Sequence, residues 1–153
     1  MILTGPRLTL TALDADGVAR SRLTPDMQRT DGFFEARLRE DPDARGYWVW
    51  LAALEDGTEI GFGGFGGRPG PDERLTLGYS VHEEHRRQGY ATEIAELLTG
   101  WALEQPGVSI VRATIRPDNA PSLRVAEKAG FEPTGETVQD DEDGELLVYL
   151  RPR

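Results

Sequence analysis

The sequence predicts an α/β protein, an α+β arrangement in which one mixed sheet of about six to seven strands carries helices on both faces. Three observations lead there. β-Branched and aromatic runs recur at residues 47–54, 59–65, 75–81 and 108–115. Between the last two runs, Ile94, Leu97, Leu98 and Trp101 stand at helical spacing. Glycine, proline and Asp-Gly steps separate the runs, with no internal repeat and no linker.

Taken in order, residues 7–13 alternate as a first strand, and Asp14 is placed to cap a short helix reaching about residue 24, before Pro25. A second helix is expected over 31–40, with Phe33, Phe34 and Leu38 on its apolar face and Asp41-Pro42 as its stop. Strands 47–54 and 59–65 flank Glu55-Asp56-Gly57 and form a hairpin. Strand alternation puts Trp48 and Trp50 on one face and Tyr47 and Val49 on the other; core burial of both tryptophans and pocket lining by one of them stay open. Gly61, Gly63, Gly64, Gly66, Gly67 and Gly70 follow a strand but open no helix, which reads as a flexible strand exit rather than a phosphate loop. A strand over 75–81, a helix over 88–104 and a strand over 108–115 come next. Asn119 suits a helix N-cap, Pro121 the first turn and Gly130 the C-terminus. Strands near 132–138 and 145–150 close the chain around an Asp143-Gly144 turn.

The 153 residues are expected to form one domain over 1–153, long enough to bury roughly two thirds of the unfolded surface. There is no cysteine, which excludes disulfides, cysteine nucleophiles and cysteine-ligated metal. A formal charge of −10 argues against nucleic acid as a partner and favours cationic ones. No long apolar run and no signal-peptide pattern stands in the chain, so no membrane association is expected and a cytoplasmic location is. His82-Glu-Glu-His85 has the wrong histidine spacing for a helical zinc motif, so no metal is expected. The acidic run 139–145 reads as a solvated hairpin tip, with attraction of a cationic substrate as the other reading.

The richest stretch is His85-Arg-Arg-Gln-Gly-Tyr-Ala-Thr92, a basic turn between a strand and a helix. Unpaired N–H groups at a helix start carry partial positive charge, and Gly89 with Ala91 lets an anion approach the backbone. A Walker loop needs GxxxxGK[ST], and a dinucleotide fingerprint needs GxGxxG with an acid about 20 positions on; neither is present. Arg86, Arg87 and Arg116, near two predicted helix starts, supply a local exception to the acidic whole.

Arg86-x-x-Gly89-x-Ala91 resembles the acyl-CoA signature of the GNAT superfamily of N-acetyltransferases. Residues 119–131, with Asn119, Ser122, Glu127, Lys128, Gly130 and Phe131, are similar to a pattern of the branch that contains the ribosomal-protein N-terminal acetyltransferases. Gly78-Tyr79 and Pro6-Arg-Leu-Thr-Leu10 extend the resemblance over nearly the whole chain.

The resemblance implies the GNAT fold, in which two parallel strands splay apart at the cofactor cleft. It implies acetyl-CoA as cosubstrate and acetyl transfer to a primary amine by direct attack, the acceptor being a protein N-terminal α-amine or a small-molecule amine. Val81, Arg86, Arg87, Gln88, Gly89, Tyr90, Ala91, Thr92 and Asn119 then fall at the cofactor. Ser122 falls at the departing thiolate, with bonding to its own helix backbone as the other reading. Ala126 stands where many relatives keep a tyrosine, and Thr76 where this branch commonly carries a glutamate. No base is assigned: Glu73, Glu83, His82 and Tyr79 are near in sequence, and a water relay or an amine already deprotonated in part are further routes. The two departures also admit a catalytically silent acyl-CoA-binding regulatory module. A homodimer is left open.

Overall fold

The computed structural model describes residues 1–28 and 32–153. Its strands are β1 (Ile2–Thr4), β2 (Leu8–Ala12), β3 (Val49–Leu54), β4 (Glu59–Gly64), β5 (Arg74–Thr76), β6 (Gly78–Val81), β7 (Ile110–Ile115), β8 (Glu132–Asp140) and β9 (Gly144–Pro152). The helices are α1 (Ala15–Arg20), α2 (Pro25–Gln28), α3 (Phe33–Glu40), α4 (Tyr90–Leu103) and α5 (Ala120–Lys128). Asp31, the expected start of the second helix, lies outside the described residues.

Instead of one sheet of six to seven strands there are two, ordered β1-β2-β3-β4-β6 and β5-β7-β9-β8. The run expected as a single strand over 75–81 divides at Leu77. Leu77 N–H still donates to the Arg112 carbonyl at 2.8 Å, the last rung with β7. From Gly78 onward the chain pairs with β4, Gly78 opposite Gly64 and Val81 opposite Gly61. The β5–β7 pair is parallel and the remaining pairs are antiparallel. The predicted splay is therefore a change of sheet within one segment. β1, at three residues too short to show periodicity, is not among the predicted strands.

Asp14 caps α1, accepting from Gly17 N–H at 2.7 Å. That helix ends at Arg20 rather than near residue 24, because Ser21 turns its N–H onto Val18 O and its hydroxyl onto Gly17 O.

The main core lies between α4 and the sheets, with Leu8, Leu10, Trp50, Ile60, Ile94, Leu98 and Val111 essentially excluded from solvent. Each such side chain contributes roughly 1.5–3 kcal/mol by burial. Trp101 of α4 meets Trp50 edge to face at 5.3 Å and stacks on Phe65 at 5.8 Å. A second cluster of Leu13, Val18, Leu38, Val49 and Phe62 fills the opposite side, near α1 and α3.

Two sequence readings change here. Gly61, Gly63 and Gly64 are buried strand residues, not a flexible exit. A Cβ on Gly63 would fall 2.6 Å from both Ile94 Cγ2 and Leu98 Cδ1, so its bare backbone is what lets α4 seat on β4. Trp48 and Trp50 do not share an environment either. Trp48 precedes β3 and escapes its alternation, joining the Phe62 cluster, whereas Trp50 lies in the main core with Nε1 donating to Gly46 O at 2.7 Å.

Candidate active site at the parting of the sheets

Where β6 leaves β7, a notch of about 130 Å³ opens, lined by Leu77, Gly78, Tyr79, Ala113, Thr114, Ile115 and Ser122. His82 N–H donates to Ile60 O at 2.9 Å, so even-numbered residues of β6 aim their backbone at β4. By antiparallel alternation, the N–H and C=O groups of Tyr79 and Val81 face away from β4, toward the parting. The Val81 carbonyl is taken by Arg86 Nε at 3.0 Å. Val81 N–H is left on the notch side.

The basic turn leads from β6 into α4. Arg87 and Gly89 both lie in the left-handed region, at φ 65° and 82°, and Gly89 is the N-cap without any side-chain cap. For arginine that conformation costs about 1–2 kcal/mol. The helix starts at Tyr90, two residues later than predicted, leaving Gln88 in the turn and Ala91 and Thr92 in the first helical turn. Two left-handed residues, 87 and 89, thus stand directly ahead of a 14-residue helix, whose first N–H groups lack intrahelical partners and favour an anion.

Sequence reasoning missed what holds this turn in place. Glu93, a buried carboxylate on α4, accepts from the backbone N–H groups of Arg7 and Leu8 at 3.0 and 2.7 Å and from Arg7 Nε at 3.1 Å. Arg7 then spans the turn: Nη1 donates to Gln88 O, and the guanidinium lies 4.6 Å from the Tyr90 ring centroid. A Cβ on Gly89 would come within 3.1 Å of Arg7 Nη2. The signal available beforehand was an acidic residue one turn into a helix that also needs its positive end for an anion. Arg116, by contrast, is drawn toward Asp118 at 3.6 Å.

Across the notch, Asn119 caps α5, its Oδ1 accepting from Ser122 N–H at 3.3 Å. Ser122 Oγ turns outward and sits 2.6 Å from Tyr79 Oη, with either hydroxyl able to donate. The local-backbone reading of Ser122 is therefore not what the structure shows. Burial holds the Tyr79 phenol neutral above its ordinary range, partly opposed by the bond from Ser122. Ala126 is packed into the main core. Thr76 Oγ1 accepts from Arg112 Nε at 3.2 Å, so the position that lacks a glutamate holds a cation instead.

Behind β6 lies a larger cavity of about 380 Å³, walled by Phe33, Phe34, Trp48 and Phe62, with Asp26 and Ser80 beside it. It shares Leu77, Gly78 and Tyr79 with the notch. Of the residues weighed as bases, only Tyr79 borders both spaces. His82 is buried against Phe62, ring centroids 6.0 Å apart, and burial, then the charge of Arg22, lowers its pKa. Glu73 is a left-handed turn residue whose carbonyl accepts from Ser109, and Glu83 lies in the short turn after His82. The acidic run 139–145 lines neither space; Asp140 accepts from Glu142 and Asp143 N–H and closes its own hairpin.

A sequence profile described as an acetyltransferase (GNAT) domain matches residues 7–132. Over 100 residues the chain is 34% identical to the uncharacterized N-acetyltransferase YjdG of Bacillus subtilis, covering 65% of this chain and 60% of that protein. Over 117 residues it is 28% identical to the L-methionine sulfoximine/L-methionine sulfone acetyltransferase of Pseudomonas paraeruginosa, covering 74% and 64%. The chain thus spans 60–64% of the length of these two relatives. RimL, a ribosomal L7/L12 alpha-N-protein acetyltransferase solved with coenzyme A, has the same fold, with a TM-score of 0.76 over 99% of this chain and 98% of that one at 18% identity.

Proposed function

This chain belongs to the GNAT acetyltransferase family, and from that premise we propose that it transfers an acetyl group from acetyl-CoA to a primary amine by direct attack. The observation that carries the reading is the meeting of two spaces at Leu77–Tyr79: a backbone-lined notch beside an anion-binding turn, and a separate cavity on the far side of the same strand. Acetyl-CoA supplies an activated thioester when bound. The neutral amine forms a C–N bond to its acetyl carbon and gives up one N–H proton, the C–S bond breaks, and the thiolate takes up a proton, so that an amide and free CoA thiol result.

Each group has a role in that reading. The N–H groups from Gln88 to Thr92, with Arg87 beside them, hold the diphosphate, and Arg86 fixes the turn to Val81. The edge of β6 at Tyr79 and Val81 pairs with the amides of the pantetheine arm, as an added strand does. Ser122, backed by a neutral Tyr79, protonates the thiolate. Asn119 acts through Ser122 by ordering the first turn of α5. The acceptor enters from the aromatic cavity; a protein N-terminus and a small-molecule amine both remain within this reading.

Thermal-shift titration with acetyl-CoA tests the first half, since saturation at 100 times Kd stabilises by about 2.7 kcal/mol. Absence of any shift at millimolar acetyl-CoA overturns the reading. Release of free CoA thiol on adding an amine separates an enzyme from a silent acyl-CoA module. The Tyr79–Ser122 contact favours the enzyme.

A further inference from the structure

The aromatic cavity carries more information about the acceptor than any motif. Phe33, Phe34 and Trp48 brace one another edge to face, with ring centroids 5.6–6.0 Å apart, so its wall is already formed. Phe62 closes the far side and is itself held against His82. Among the described residues lining the cavity, a single carboxylate is present, Asp26, whose Oδ2 lies 3.5 Å from Ser80 Oγ. No described lysine or arginine lines it.

Rings reward continuous apolar surface laid against them. A wall of four aromatic side chains therefore suits a ligand with an apolar body. A polyamine or an aminoglycoside, polar or charged every few atoms, offers less uninterrupted apolar surface to bury there. A volume of about 380 Å³ accommodates a ring or a branched side chain. The amine then points to Gly78 and Tyr79, where the cavity meets the notch.

Building on the acetyl-transfer reading, we infer that the acceptor is a primary amine attached beside an aromatic or branched apolar group, which fills the cavity between Phe33, Phe34, Trp48 and Phe62. The chemistry is shared by small arylalkylamines and by peptides that begin with an apolar residue.

The test uses the full chain with saturating acetyl-CoA, after its thermal shift has been recorded, and follows thiol release with phenethylamine, a tripeptide amide beginning with Phe, spermidine and kanamycin. The expected result is a kcat/KM for phenethylamine or the peptide at least tenfold above those for spermidine and kanamycin, the better of the first two identifying the source. Phe34→Ala is expected to raise KM for that acceptor about tenfold with the acetyl-CoA shift unchanged. Phe33→Ala, at a side chain already 42% exposed, repeats the experiment without a folding risk. Equal or faster reaction of spermidine or kanamycin overturns the inference, as does an unchanged KM in both variants. A normal acetyl-CoA shift with no turnover of either aromatic amine also overturns it while leaving cofactor binding standing. No acetyl-CoA shift overturns the parent reading instead.

Discussion

The two sides of β6 are built by opposite means. On the notch side the working groups are main-chain N–H groups, positioned by a nine-residue stretch from His82 to Tyr90 and by the first turn of α5. On the cavity side the working surfaces are side chains gathered from α2, α3, the approach to β3, and β4. The first is local and short in sequence; the second is assembled from distant segments. Backbone recognition tolerates side-chain change but demands a fixed conformation, whereas a side-chain wall can be retuned one residue at a time. That division matches the proposed reaction, in which the notch takes the cofactor and the cavity the acceptor.

Gly89→Glu is the strongest way to break the contrast, because it attacks the backbone side alone. It forces a side chain into φ 82°, crowds Arg7 and sets a carboxylate in the anion cradle. Left-handed strain alone costs about 1–2 kcal/mol, and the repulsion adds to it. The expected outcome is loss of the acetyl-CoA thermal shift. Gly89→Ala separates the two effects by retaining part of that shift.

Ser122→Ala is next. Removing a proton donor to the leaving group is expected to lower kcat by about 10²-fold, with acetyl-CoA affinity nearly constant. Tyr79→Phe should fall between that variant and wild type, since it leaves Ser122 in place without its 2.6 Å partner. Equal turnover in Ser122→Ala would return the residue to a purely structural role.

Glu93→Ala probes what holds the cradle rather than the cradle itself. It strips the acceptor from two backbone N–H groups and from Arg7, a loss of about 1–3 kcal/mol of stability for the groups left unsatisfied. Chemical denaturation measures that loss. Weaker acetyl-CoA binding in the same variant would show that Arg7 and Glu93 also position the turn.

The smallest expected effect concerns the cavity side and pH. His82 has its pKa lowered from 6.5, mainly by burial. Above that value folded and unfolded chains both carry neutral imidazole. As pH falls below it, the unfolded chain takes up a proton that the folded one resists, so stability declines until the folded pKa is passed, by at most about 1.4 kcal/mol per pH unit. His82→Asn should flatten this slope between pH 6.5 and the range where the carboxylates begin to titrate. Asp14, Asp41 and Glu84, all with lowered pKa values, lose their stabilising effect only further down as acid protonates them. Thermal melts across pH distinguish the two windows.

Much of the fold was legible because its signals are local. Periodicity located the long helix and the β3–β4 hairpin, and Asp14 and Asn119 announced their caps, whereas Gly89 as the left-handed N-cap of α4 lay inside the helix expected from residue 88. Other features were hidden for definite reasons. Leu77 looks like an interior strand residue, and nothing in LTLGYSV tells that it hands the chain from one sheet to another. Glu93 reads as an ordinary helix surface acid until β2 is brought against it. Ser122 has the spacing of a capping residue, and only the approach of Tyr79 gives its hydroxyl another partner.

What the sequence alone determined, then, is most of the succession of strands and helices, the basic turn ahead of α4 and the family to which they point, since these depend on bonds between residues a few positions apart. The parting of the sheets at Leu77, the pairing of Tyr79 with Ser122 and the aromatic wall around Phe34 and Trp48 were decided by tertiary structure. Those contacts join segments far apart in the chain, and which side chains meet depends on how α4 packs on the bare backbone of Gly63, a relation no linear pattern records.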